Sequence, residues 1–327
     1  LGRSKVGQLA GFTLVELLIA MALLLAVLTI AFNIFSSSNR LVESDTGRVM
    51  AQQNAQTALD LMAADVREAG ENLELDLGIS GLEFNNATQS LTVRRSIPPL
   101  STGVKLARLP LCYVSGSSVQ VVGAVPGSTT ATSRCTYSDG NSDGEDDNVM
   151  PWRTYLTAQS GVPQAALLYR PASGGTPALV QSTTVQSVQA QTTQVTSGVT
   201  VKRVNVVLGA AVPSAFTPAN NSLLILVDER RYMLVGSELR LALGGQTDAQ
   251  AQPMAFGVTG LTLSATLTDP TETVSSMSLT GPFSRVKNIV IGLSAQNAGQ
   301  GKSTTRTFQS TIFPRNIETA RSTPGAP

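Results

Sequence analysis

Hydrophobic and polar positions fall into three regimes along the chain. From Phe12 to Phe35 only Glu16 is charged, and between Leu17 and Phe32 only Thr29 interrupts a surface that is apolar on every side of a helix. At ~1.5 Å per residue this run predicts a helix of roughly 36 Å, enough to cross a hydrocarbon core of ~30 Å. A helix apolar all round is either a membrane span or the centre of a bundle. Beyond it Ala55, Leu59, Met62, Val66 and Ala69 recur at spacings of three and four, forming one amphipathic stripe, and Gly70 is a natural C-terminal stop. One helix is therefore expected from Phe12 to Ala69, within a helical region 12–70 whose membrane span covers residues 12–35. Gly47 is a weak spot in it, and its second half would lay the stripe on a globular head.

After Gly70 the period changes to two. Leu261, Leu263, Ala265 and Leu267 alternate with polar residues, as do Val204, Val206 and Leu208, and Ile289, Ile291 and Leu293. Each set predicts a half-buried strand. Leu223–Val227 is wholly apolar and reads as a central strand. The charged run Asp228–Arg231 reads as a turn, and Tyr232–Val235 as the return strand of a hairpin. A last strand is expected over Thr304–Phe313. Residues 97–198 are rich in Gly, Ser, Thr and Gln and read as an elaboration of a head spanning 71–318. Within them Val180–Gly198 is either a set of polar strands or a mobile loop. A tail over 319–327 is expected to be disordered. The class is α+β: a long N-terminal helix on an antiparallel, β-rich head.

Composition narrows the functions. The 327 residues carry a formal net charge of +1, which gives no strong field for nucleic acid or anionic lipid; a nucleic-acid partner has no support from charge. There is no histidine, so Ser-His-Asp and Cys-His catalysis and His-ligated zinc are excluded within this chain. An enzyme is not expected. The two cysteines, Cys112 and Cys135, read as one disulfide in an exported chain, or as two buried thiols in a reducing compartment.

The start of the chain carries the strongest motif. A short basic leader (Arg3, Lys5) ends at Gly11, and Phe12-Thr13-Leu14-Val15-Glu16 opens the apolar run. This resembles the class III leader of type IV prepilins and pseudopilins. A conventional secretory signal would place its cleavage site after the apolar run, and a plain signal anchor would not be cut there at all. The resemblance implies a leader over residues 1–11, cleavage by a prepilin peptidase between Gly11 and Phe12, and methylation of the new N-terminus. It also implies that Glu16 pairs with the amine of a neighbouring subunit in the filament. The alternative for Glu16 is a protonated or snorkelling carboxylate near the interface, since an acid inside lipid costs several kcal/mol.

At the helix end, Asp65-Val66-Arg67-Glu68-Ala69-Gly70 resembles PilW-like minor pilins, whose pattern there is Asp, an apolar residue, Arg, a variable residue, then Ala-Gly. The J-type pseudopilins of type II secretion are related. From the residues alone, Asp65 and Arg67 read as a solvated helix face. The order of strands from Val199 to Ile317, with Arg315-Asn316 after the last, is also similar to PilW-like proteins. Asn33 stands where many major pilins carry a proline, and no proline precedes Pro98. The resemblance implies a type IV pilin-like fold and a minor pilin that enters or primes a pilus, serving adhesion, motility or DNA uptake. A J-type pseudopilin and a pilus-borne adhesin or DNA-capture subunit are the alternatives. Implied partners are major and minor pilins, the prepilin peptidase, the inner-membrane assembly machinery, and lipid before assembly. The implied location is a single-pass inner-membrane protein with an exported head, then the pilus surface.

No cofactor is required, but one loop fits calcium. Asp139-Gly140-Asn141-Ser142-Asp143-Gly144-Glu145-Asp146-Asp147 follows D-x-N-x-D-G-x-x-D. Asp139, Asn141, Asp143 and Asp147 would offer side-chain oxygens and Glu145 a carbonyl. Position twelve is Met150 rather than a bidentate Glu, which predicts weak affinity. The competing account is a metal-free Asp-Gly surface turn. Trp152 and Tyr155 would stack on a ligand or pack beneath the loop.

Overall fold

In the computed structural model residues 13–73, 77–97, 108–123, 133–196, 199–296 and 305–315 are described. The leader over 1–11, Phe12, Thr304 and the tail over 319–327 lie outside them. The first helix, α1 (Leu14–Glu68), passes through Gly47 without a break. The chain divides after Met50: the residues up to there form one unit, and the head begins with Ala51. Every side chain from Thr13 to Phe35 is exposed, including large apolar ones such as Leu14, Leu24 and Phe32. Among the described residues α1 is the one helix long and apolar enough to cross a membrane.

The head is built from seventeen described strands: β1 (Leu82–Asn85), β2 (Ser90–Ser96), β3 (Leu109–Pro110), β4 (Tyr113–Ser115), β5 (Ser118–Val122), β6 (Gln164–Arg170), β7 (Leu179–Val188), β8 (Thr192–Thr196), β9 (Val199–Leu208), β10 (Leu223–Val235), β11 (Glu238–Leu243), β12 (Gln252–Phe256), β13 (Val258–Leu267), β14 (Glu272–Val274), β15 (Ser276–Met277), β16 (Val286–Gln296) and β17 (Thr305–Ile312). A second helix, α2 (Met150–Ala158), precedes β6. All described pairings between these strands are antiparallel. One sheet runs β15-β1-β2-β10-β6-β7-β9-β5-β4, with β3 and β11 also on β10, β12 on β11 and β8 on β9. A second sheet runs β14-β13-β16-β17.

Two lobes share this framework. In the helix-packed lobe the α1 stripe Leu59, Met62, Val66 and Ala69 is buried with Leu82, Phe84 and Leu91 of the large sheet and Leu261, Leu263, Ile289, Ile291 and Leu293 of the small one. The alternation read from sequence at β13 and β16 is the alternation found. In the middle lobe α2 covers strands β5, β6, β7 and β9, and Trp152, fully buried, packs with Val119, Leu168, Val206 and Leu224. As far as it is described, Val180–Gly198 forms the strands β7 and β8, joined by a short connection at residues 189–191.

The expected hairpin around Asp228–Arg231 is not there. Leu223 to Val235 is a single strand. Its N-terminal half pairs with β3 and β6 in the middle lobe, and its C-terminal half with β2 and β11 in the helix-packed lobe. The charges that suggested a turn are each met by a partner: Asp228 by Arg95 at 2.8 Å, Glu229 by Arg94 at 2.7 Å, Arg230 by Asp65 at 2.6 Å, and Arg231 by Asp248 at 2.8 Å. A charge run becomes sheet when cross-strand neighbours carry the opposite sign. The true reversal comes later, at Gly236-Ser237, where Gly236 adopts φ +63° and a two-residue loop joins β10 to β11.

Candidate assembly site

The first described residues form a reciprocal cap. The Glu16 N–H donates to the Thr13 hydroxyl at 3.3 Å, and the Thr13 N–H donates to the Glu16 carboxylate at 3.4 Å. The Thr13 hydroxyl also reaches that carboxylate at 3.4 Å. This T-x-x-E arrangement satisfies two N–H groups that a helix start otherwise leaves open. It gives the acid a local role that the sequence reading passed over, although T-x-x-E ahead of an apolar run is its signature. Gly11 and Phe12, the expected processing pair, lie outside the described residues.

At the other end of α1 the Asp-x-Arg-x-Ala-Gly segment has a physical account. Asp65 is not on a solvated face. It is 4% exposed, ion-paired to Arg230 and hydrogen-bonded by the hydroxyl of Tyr232, itself fully buried. Burial, then the hydrogen bond and negative charge of Asp65, push the Tyr232 phenol far above its usual value, with Arg230 opposing. Arg67 is exposed, as read. Gly70 sits at φ +74°, where its N–H donates to the Arg94 carbonyl at 2.8 Å. A Cβ there would meet the Phe283 ring at 2.4 Å, and one on Gly81 would meet the Gly70 nitrogen at 2.4 Å. The helix end, β2 and the turn before β1 thus close on a contact that glycines alone permit. Arg95 bridges Glu68 of α1 and Asp228 of β10, while Arg94 lies between Glu83 and Glu229.

Cys112 and Cys135 are joined by a disulfide, with Cα atoms 5.8 Å apart. The Asp-rich loop is closed by its own hydrogen bonds. Asp139 accepts from the Gly144 N–H and the Tyr137 hydroxyl, both at 3.0 Å. Asp143 accepts from the Glu145 N–H and the Asn141 amide, both at 2.8 Å, and Asp147 from the Gly140 N–H at 2.8 Å. Glu145 pairs with Arg153 of α2, and Lys202 of β9 lies 4.0 Å over the Tyr137 ring. Asp146, outside the expected ligand set, is the buried acid; it accepts N–H bonds from Ser138 and Asn148. As folded, the acids of the loop are engaged in these bonds, and among the described residues no three acidic side chains gather around one point. Trp152 is fully buried in the core of the middle lobe. The half-buried Tyr155 donates to Gln164 at 3.3 Å, and burial with the charge of Asp228 pushes its phenol up to about 12.

Comparison with known proteins places the first of these features. Residues 10–32 match the family described as the prokaryotic N-terminal methylation motif. A stretch of 91 residues, 28% of the chain, is 31% identical to the pilin-like protein PilA3 of Thermus thermophilus; the match spans about a third (35%) of that relative. A type IV-like pilin structure from Thermus thermophilus aligns over 51% of this chain and 96% of its own, at 9% identity and a TM-score of 0.20, too low to argue from. The chain is thus similar to type IV pilin-like proteins in its methylation motif and in the stretch matched to PilA3, and it carries a long N-terminal helix and an antiparallel β head.

Proposed function

We propose that the chain is a minor pilin, structural and non-catalytic, that enters or primes a type IV pilus. A prepilin peptidase cuts after Gly11, and Phe12 becomes the methylated N-terminus. The apolar helix is a single span in the inner membrane before it packs among other pilins, handed on by the assembly machinery. The observation that carries this reading is a long apolar run whose one charge, Glu16, stands one helical turn after Phe12 within a motif matched at residues 10–32. Mass spectrometry of the native protein is expected to show a chain beginning at methylated Phe12. Purified pili should contain it in small amounts, and Glu16→Val should remove it from them. An untrimmed chain, or pili that carry the Glu16→Val variant undiminished, would overturn the proposal.

Calcium binding by the Asp139–Asp147 loop is a second, separate proposal. Its support is the spacing of the acids and one buried oxygen of Asp139, Oδ1, that has no hydrogen-bond partner among the described residues. Binding would require Asp143 and Asp147 to exchange their N–H partners for the ion. A rise in Tm at millimolar Ca²⁺, lost in Asp143→Ala, supports it; an unchanged Tm removes it.

A further inference from the structure

The middle lobe holds a cavity of about 620 Å³, well inside the roughly 300–1,000 Å³ typical of ligand sites. Four segments line it: Leu77 ahead of β1, the short turn that carries Arg134, the end of β6 with the Ser173–Thr176 turn after it, and the turn that leads into β10. Among the described residues its charged side chains are Arg134 and Arg170, and no carboxylate lines it. That is unusual in this head. Arg94, Arg95, Arg153, Arg230, Arg231, Arg240 and Arg285 all meet an acid within 4.0 Å. Arg134 and Arg170 have no ion pair among the described residues. Arg170 is steadied by one bond from its Nη2 to the Pro177 carbonyl at 3.0 Å. Arg134 is held at its backbone, next to the disulfide at Cys135.

The rest of the lining adds recognition without charge. Asn221, Ser173 and Thr176 make no side-chain hydrogen bond among the described residues, so their amide and hydroxyls are available to a ligand. Asn221 is held at φ +54°, which sets the direction of its side chain. Tyr169 and Leu223 give the cavity an apolar floor. The adjoining cavity of about 300 Å³ shares Arg134 and contains Asp146, but both Asp146 oxygens already accept backbone N–H bonds.

We infer that this cavity binds an acidic saccharide, with the sugar carboxylate held by Arg134 and Arg170 and the hydroxyls by Asn221, Ser173 and Thr176. The exposed Arg134 and the half-buried Arg170, neither with an acid beside it among the described residues, favour an anion, because their guanidinium groups make charge-assisted hydrogen bonds to one. Several uncharged donors and acceptors around them match a polyhydroxylated body. The described lining has no exposed aromatic plate, which disfavours a stacked nucleic-acid base. The inference rests on the head alone and does not depend on entry into a filament.

The full chain, in a detergent without a sugar headgroup, is titrated calorimetrically with trigalacturonate, with neutral maltotriose and with inorganic phosphate. Saturable binding of trigalacturonate is expected, with maltotriose and phosphate at least about tenfold weaker. Arg134→Gln and Arg170→Gln should each weaken it about tenfold while the denaturation midpoint stays unchanged. Absence of saturable binding, equal binding of phosphate or maltotriose, or undiminished binding in the double variant would overturn the inference. Pilus content measured in parallel reports on assembly independently.

Discussion

The two lobes of the head solve one problem in opposite ways. The helix-packed lobe buries regular apolar faces: the α1 stripe against the alternating residues of β13 and β16. The middle lobe has few such faces. In β7 only Val180 and Val185 are buried within a Gln- and Thr-rich strand, and the lobe leans on β6, whose two sides are both covered, on the small helix α2 and on the disulfide. Local pattern organises the first, and long-range closure the second. The two meet on one strand, β10.

The sharpest test of this contrast is Asp65→Ala. It strands the buried Tyr232 hydroxyl and leaves Arg230 without its acid, with an expected loss of about 3 kcal/mol. Hydrogen exchange should rise around Met62 and in β2, and rise less around Trp152. Uniform exchange across both lobes would show that they are one cooperative unit. Replacing both cysteines with serine should cost a similar amount, about 3 kcal/mol in the chain-entropy model, with the change concentrated in the middle lobe.

Alkali gives a smaller and graded effect. Tyr232 and Tyr155 are harder to ionise in the folded chain than in the unfolded one. The unfolded state therefore releases protons first, and the stability these phenols confer is complete below about pH 10 and falls as pH rises beyond it. Tyr232→Phe should flatten that fall and cost about 1 kcal/mol at neutral pH. The smallest effect belongs to the helix start: Thr13→Ala removes half of the reciprocal cap and should cost about 1 kcal/mol, read as fraying of the first turn by hydrogen exchange.

Legibility followed the same division. Met62, Leu263 and Ile291 announce their burial through spacing, because the period of the element and the side it presents to the core are local properties. Asp65 did not, because what removes it from water is Arg230 and Tyr232, 165 and 167 residues away. The Asp228–Arg231 run misled for the same reason: its neutralising partners on β2 lie more than a hundred residues earlier in the chain. β7 and β8 were ambiguous because a polar strand has no inward face to betray it; pairing with β6 and β9 makes it a strand. Of the assembly site, the motif was plain and the cap was readable. The cavity of Arg134 and Arg170 was not, since four segments far apart in the chain line it.

One length of backbone has a mechanical meaning. Asp65 grips β10 at Arg230 and Tyr232, and seven residues upstream the same strand supplies Leu223 to the cavity floor. The end of the long helix and the floor of the cavity are thus tied to one continuous strand of backbone, with no loop between them to absorb a displacement.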